Sequence, residues 1–112
     1  MGVYSINNNP YYIPTPPSGS VNGHTYFISR NNPIPGMVFY LRSLDDGTSG
    51  SYYAITDIHG YYKIDRVPFG NYSVYSCNDV GSMHEGYGDL VGSVGLTESD
   101  PDAQVDYQVM PV

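Results

Sequence analysis

Ile55-Thr56-Asp57-Ile58-His59-Gly60-Tyr61-Tyr62-Lys63-Ile64-Asp65-Arg66-Val67-Pro68-Phe69-Gly70-Asn71-Tyr72-Ser73-Val74-Tyr75 reads as strand, turn, strand, turn, strand without a break. Thr56 closes one strand. Asp57-x-x-Gly60 makes a tight turn, because an aspartate can hydrogen-bond its own loop backbone and a glycine accepts positive φ. Tyr62, Ile64 and Val67 then point one way before Pro68-Phe69-Gly70 turns the chain into Tyr72 and Val74. Apolar residues at period two place one face of this sheet against a core.

Outward from that stretch the same grammar continues. The pattern predicts strands near 20–28, 36–44, 51–57, 61–67, 71–78, 89–96 and 103–110, seven in all, with no long helix. Asn31-Asn32-Pro33 and Asp45-Asp46-Gly47 read as surface turns, and Asn78 to Gly88 as a longer exposed loop. The expected core is Val21, Phe27, Met37, Phe39, Leu41, Ala54, Tyr62, Ile64, Val67, Tyr72, Val74, Leu90, Val105, Tyr107 and Val109. A chain of 112 residues with 13 Gly, 9 Pro and abundant Tyr, Val and Ile suits one all-β domain with a single core.

Three elements now line up: Pro35-Gly36 with Phe39 and Leu41; Thr56-Asp57 with Gly60, Tyr62 and Ile64; and Gly70 with Tyr72 and Val74. In this order they resemble the carboxypeptidase-regulatory-like and Cna-B-like domains, over roughly residues 18 to 112. The resemblance implies a seven-stranded Ig-like or transthyretin-type β-sandwich and carries no catalytic residues. Members of these families are mostly extracellular stalk, spacer, pilin or accessory modules, which implies a structural role at a cell or virion surface. Cna-B-like domains often carry a Lys–Asn isopeptide bond whose lysine lies in the first strand. The sole lysine here, Lys63, lies in a middle strand on the face opposite Tyr62 and Ile64, so no such bond is expected.

Composition excludes several functions. The net charge is −7, with Arg30, Arg42, Lys63 and Arg66 as the only basic side chains, which is hostile to a nucleic-acid backbone. No apolar run approaches a membrane span, and the first residues have neither the basic start nor the apolar core of a signal peptide. Cys77, the single cysteine, cannot form an internal disulfide and reads as a small, semi-buried strand residue. His24, His59 and His84 are scattered, and no serine sits in a Gly-x-Ser-x-Gly elbow, so we expect no enzyme, no cofactor and no metal. The acidic groups Glu98, Asp100, Asp102 and Asp79, Glu85, Asp89 do not follow an EF-hand order. They read as solvated loops, with Ca²⁺ binding as the competing alternative.

Residues 1–19 differ from the body at 20–112. Gly2-Val3-Tyr4-Ser5-Ile6 is short and β-prone, Asn7-Asn8-Asn9-Pro10 breaks it, and Tyr11 to Gly19 includes Pro14, Pro16 and Pro17. At about 3.1 Å per residue, an extended linker from Asn7 to Gly19 spans up to roughly 40 Å. Val3, Tyr4, Ile6, Tyr11 and Tyr12 are therefore candidate contacts of an assembly arm that docks on another copy of the chain. The 13 tyrosines are the remaining signal. Alternation puts Tyr40, Tyr61 and Tyr75 on outward faces, where they suit protein interfaces or stacking on sugars. Asn71-Tyr72-Ser73 is a formal N-glycosylation sequon. Two readings follow: a non-catalytic subunit of an extracellular filament, pilus-like or virion assembly linked head to tail by its arm, or a carbohydrate-binding or cell-surface accessory module using exposed tyrosines.

Overall fold

The computed structural model describes residues 17–110. Among the described residues the strands are β1 (Ser18–Phe27), β2 (Val38–Ser43), β3 (Ser49–Ile55), β4 (Tyr61–Pro68), β5 (Gly70–Cys77), β6 (Asp89–Leu96), β7 (Asp102–Gln104) and β8 (Tyr107–Val109), with one helix, α1 (Val80–Glu85), between β5 and β6. One sheet has the order β4-β1-β7, with β8 also pairing with β1; the other runs β3-β2-β5-β6. The all-β sandwich is as the pattern predicts. Among the described residues no helix is long and apolar enough to cross a membrane.

The core is one cluster between the sheets: Val21, Phe39, Leu41, Tyr62, Ile64, Val67, Tyr72, Val74 and Leu96, with Met37, Ala54, Val105 and Tyr107 packed against it. The turn at Asp57 is built as its sequence demands. The carboxylate accepts from the amides of His59 at 2.8 Å and Tyr61 at 3.1 Å. Gly60 has φ 72°, and a Cβ there would lie 2.3 Å from the Thr25 carbonyl oxygen, so two independent constraints require glycine. Val67 faces inward with Ile64 despite the odd spacing because Arg66, at φ 56°, marks an extra residue in β4 where its register with β1 shifts.

Eight strands replace the predicted seven, because the segment expected at 103–110 is broken in the middle. Val105 donates its amide to the Asn22 carbonyl at 2.8 Å, while the Asp106 carboxylate accepts from the His24 amide at 2.9 Å. A side chain thus takes the place of a ladder carbonyl, and the parallel pairing with β1 resumes only at Tyr107. The approach over β1 is so close that a Cβ on Gly23 would lie 2.0 Å from the Val105 carbonyl oxygen.

Three expected core residues are outside it. Leu90 is 64% exposed, because a register shift at Val74/Tyr75 inserts Val91 as an extra residue and reverses the facing of everything before it. Phe27 is 40% exposed as the last residue of β1, just before Ile28 turns the chain with φ 66°. Val109 is half-buried at an end of the sandwich, apart from the main cluster. Conversely, the expected loop at 78–88 contains α1. Its N-cap Asp79 accepts from the Ser82 amide at 2.7 Å, and Met83 is buried in a second cluster with Val38, Tyr40 and Cys77.

Candidate assembly site

The register fixes two poles. At one, Ser18 lies opposite Pro68, and the Tyr72 hydroxyl donates to the Pro68 carbonyl at 2.7 Å, so the starts of β1 and β5 and the end of β4 share the near pole. At the other, Thr25 lies opposite Tyr107 and Phe27 opposite Val109, with the end of β5 and the start of β2 beside them. A ten-residue strand separates the two poles by roughly 30 Å. The candidate arm residues Val3, Tyr4, Ile6, Tyr11 and Tyr12 lie outside the described residues. The described chain reaches the near pole just ahead of Ser18.

The three candidate surface tyrosines do not form one platform. Tyr40 is only 2% exposed, a correction to its expected outward role. It does leave the core face of β2, but α1 lies over it. Its ring stacks on Tyr75 at 5.4 Å, its hydroxyl accepts from the Gly88 amide at 3.1 Å, and burial pushes its pKa up. Tyr75 is half-buried beside it. Tyr61 is half-buried on the other sheet, against His24 at 5.1 Å. The outward tyrosines that sequence reasoning passed over are Tyr53, 46% exposed on edge strand β3, and Tyr87, 72% exposed after α1. Asn71 is exposed, yet its sequon is held within β5 between β2 and β6.

Other candidate chemistry stays apart. Cys77 is buried, its thiol donates to the Asp79 carbonyl at 3.2 Å, and burial raises its pKa, which disfavours the thiolate. Lys63 is half-exposed with its Nζ 3.7 Å from Asp65. Among the described residues no three or more His, Cys, Asp or Glu side chains converge on a point that could hold a metal ion.

What the structure does bring together lies at the far pole. A cavity of about 330 Å³ opens there, with Met37, Tyr107 and Val109 as apolar walls and Ser76, Asn78 and Asp89 as polar ones; Ser82 and Tyr87 stand at the α1 side. The Ser76 hydroxyl is buried, its residue 2% exposed, and has no hydrogen-bond partner among the described residues. Residue 76 shares the inward parity of Tyr72 and Val74, so a serine stands where the pattern calls for an apolar side chain. That one polar choice was the signal available in the sequence.

The edges formed by β4, β3 and β6 are blunted. Edge strand β4 carries Lys63, Asp65 and Arg66 outward, with the strained φ of Arg66. The pairing of β3 with β2 shifts between Tyr40 and Arg42, next to Gly50 at φ 81°, and β6 carries the Val91 irregularity. Charges and bulges of this kind discourage a further strand from adding.

No protein-family model matches the chain. Nor does any curated protein match it. Solved structures do resemble it. The crystal structure of BcpA, the major pilin subunit of Bacillus cereus, matches with a TM-score of 0.55 at 15% identity, over 82% of this chain and 30% of that one. A type II cohesin-X-dockerin complex from Acetivibrio cellulolyticus matches with a TM-score of 0.54 at 16% identity, over 83% of this chain and 56% of that one. The Bacillus anthracis TIE protein matches with a TM-score of 0.52 at 12% identity, over 82% of this chain and 17% of that one. This chain therefore spans less than two thirds of each. At these identities the likeness establishes the fold: a β-sandwich of the kind found in pilin subunits.

Proposed function

We propose that this chain is a non-catalytic structural subunit of an extracellular filament, pilus-like or virion assembly, and that its copies link head to tail through residues 1–19. The observation that carries this reading is where β1 starts. Ser18 sits at the near pole, and β1 is already flanked by β4 on one side and by β7 and β8 on the other. The segment before it therefore joins the sandwich at the near pole, at the head of a strand whose two edges are both taken. A heterologous contact made by such an arm repeats from copy to copy and yields a filament unless rotation closes it into a ring. The sandwich shared with a pilin subunit supports the same reading. The sugar-platform alternative is weaker, since its three named tyrosines form no common platform: Tyr40 is covered, and Tyr61 and Tyr75 lie on different sheets.

Electron microscopy of the full chain beside a version lacking residues 1–13, at matched concentration, tests the proposal. Filaments or rings are expected only from the full chain. Equal assembly of the truncated form contradicts it.

A further inference from the structure

We infer that the far-pole cavity receives the arm of the next copy, with Tyr4 as the side chain that fills it; this rests on the head-to-tail reading above. Geometry sets the direction. β1 runs from the near pole to the far pole, so Pro17, to which the 16 preceding residues are joined, lies at the end opposite the cavity. Extended at about 3.1 Å per residue, they reach roughly 50 Å, enough to enter the far pole of a copy standing in line. The edge strands β3, β4 and β6, other docking places for an extended segment, carry outward charges or register shifts that oppose pairing.

The cavity's chemistry selects the occupant. At about 330 Å³ it lies at the lower end of the range in which proteins hold ligands, about 300–1,000 Å³, a scale that suits a side chain with its flanking backbone. None of its lining residues is basic, so an anionic group finds no counter-charge there. A phenol fits both walls. Its ring packs on Met37 and Val109, and its hydroxyl can donate to the Asp89 carboxylate while accepting from the unpartnered Ser76 hydroxyl. Tyr4 offers that group near the tip of the arm. Val3 and Ile6 on either side supply apolar cover for the cavity mouth.

Complementation tests this directly. Asn78→Trp on the exposed rim blocks the cavity and keeps the arm; deletion of residues 1–13 removes the arm and keeps the cavity. Ser82→Trp provides a second block should the first variant fail to fold, which circular dichroism reports. Each defective form is expected to sediment as a monomer, and their mixture as a one-to-one dimer that does not grow. Tyr4→Ala in the full chain should weaken association about tenfold or more, as the loss of a buried aromatic anchor does. If deletion abolishes assembly but the folded blocked variants assemble like the parent, or the mixture stays monomeric, the cavity is not the receptor and only the head-to-tail reading survives. If the deletion form assembles like the parent, or the parent stays monomeric at every concentration, the head-to-tail reading itself fails.

Discussion

Phe39 of β2 and Tyr62 of β4 stack across the sandwich with ring centroids 4.0 Å apart and planes within 2° of parallel, and the Tyr62 hydroxyl donates to the Val105 carbonyl at 2.6 Å. This contact joins the two sheets to each other and to the broken segment between β7 and β8. Burial pushes the Tyr62 phenol strongly up, which favours its protonated, donating form. Phe39→Ala should cost about 3–5 kcal/mol by leaving a cavity between the sheets. Tyr62→Phe should cost about 1–3 kcal/mol by stranding the Val105 carbonyl. Urea unfolding measures both, and a loss below about 0.5 kcal/mol in Phe39→Ala would mean that this residue is not a core contact.

The second cluster makes a separate prediction, because α1 is held to the outer face by one buried side chain. Met83→Ala should destabilise the fold by about 2–5 kcal/mol and expose the Tyr40 ring. Asp79→Ala, which removes the N-cap, should cost about 0.5–2 kcal/mol. Tyrosine fluorescence quenching by acrylamide reads the exposure. Unchanged quenching in a folded Met83→Ala protein would contradict the role assigned to the helix.

Acid should weaken the fold through its hydrogen-bonded carboxylates. The amides of Tyr61 and His59 hold Asp57 below its ordinary value. For Asp106 burial alone would raise the pKa, but hydrogen bonds from the His24 amide, Gln104 and Arg30 outweigh it and bring it below the ordinary value. A carboxyl depressed in the folded state contributes stability that is fully present above its unfolded pKa, about 3.9 for aspartate, and is lost as pH falls through the lower folded value. Stability should therefore be flat with respect to these groups near neutrality and fall below about pH 4. Asp106→Asn should reduce that dependence. An unchanged slope of unfolding free energy against pH in the variant would show that Asp106 does not contribute to it.

The buried Ser76 hydroxyl gives a prediction of opposite sign. Because it has no partner among the described residues, Ser76→Ala should leave stability unchanged or raise it by about 1 kcal/mol, since an unsatisfied buried hydroxyl opposes folding. A loss of more than about 1 kcal/mol on thermal or urea unfolding would mean that the hydroxyl is satisfied within the isolated fold.

The strands from β2 to β5 were legible because period two, turn glycines and a single Asp57 turn agree with one another. Tyr40 was not, because its cover comes from a six-residue helix with only Met83 buried, too short to show a helical period. Leu90 was misplaced by a single extra residue, which alternation cannot reveal. The split into β7 and β8 depends on the Asp106 side chain replacing a backbone acceptor, a contact that reaches 82 residues back to His24. The far-pole cavity was hidden for the same reason. Met37, Ser76, Asp89 and Tyr107 come together only through the sheet register, and only the serine at an inward position hinted at it.

Whether copies associate through the segment before Ser18, as proposed, is read by sedimentation equilibrium over a dilution series that compares the full chain with the form lacking residues 1–13. Head-to-tail linkage should make the weight-average mass of the full chain climb with concentration beyond that of a dimer, while the truncated form stays at the monomer mass throughout. Superimposable curves for the two forms would contradict it.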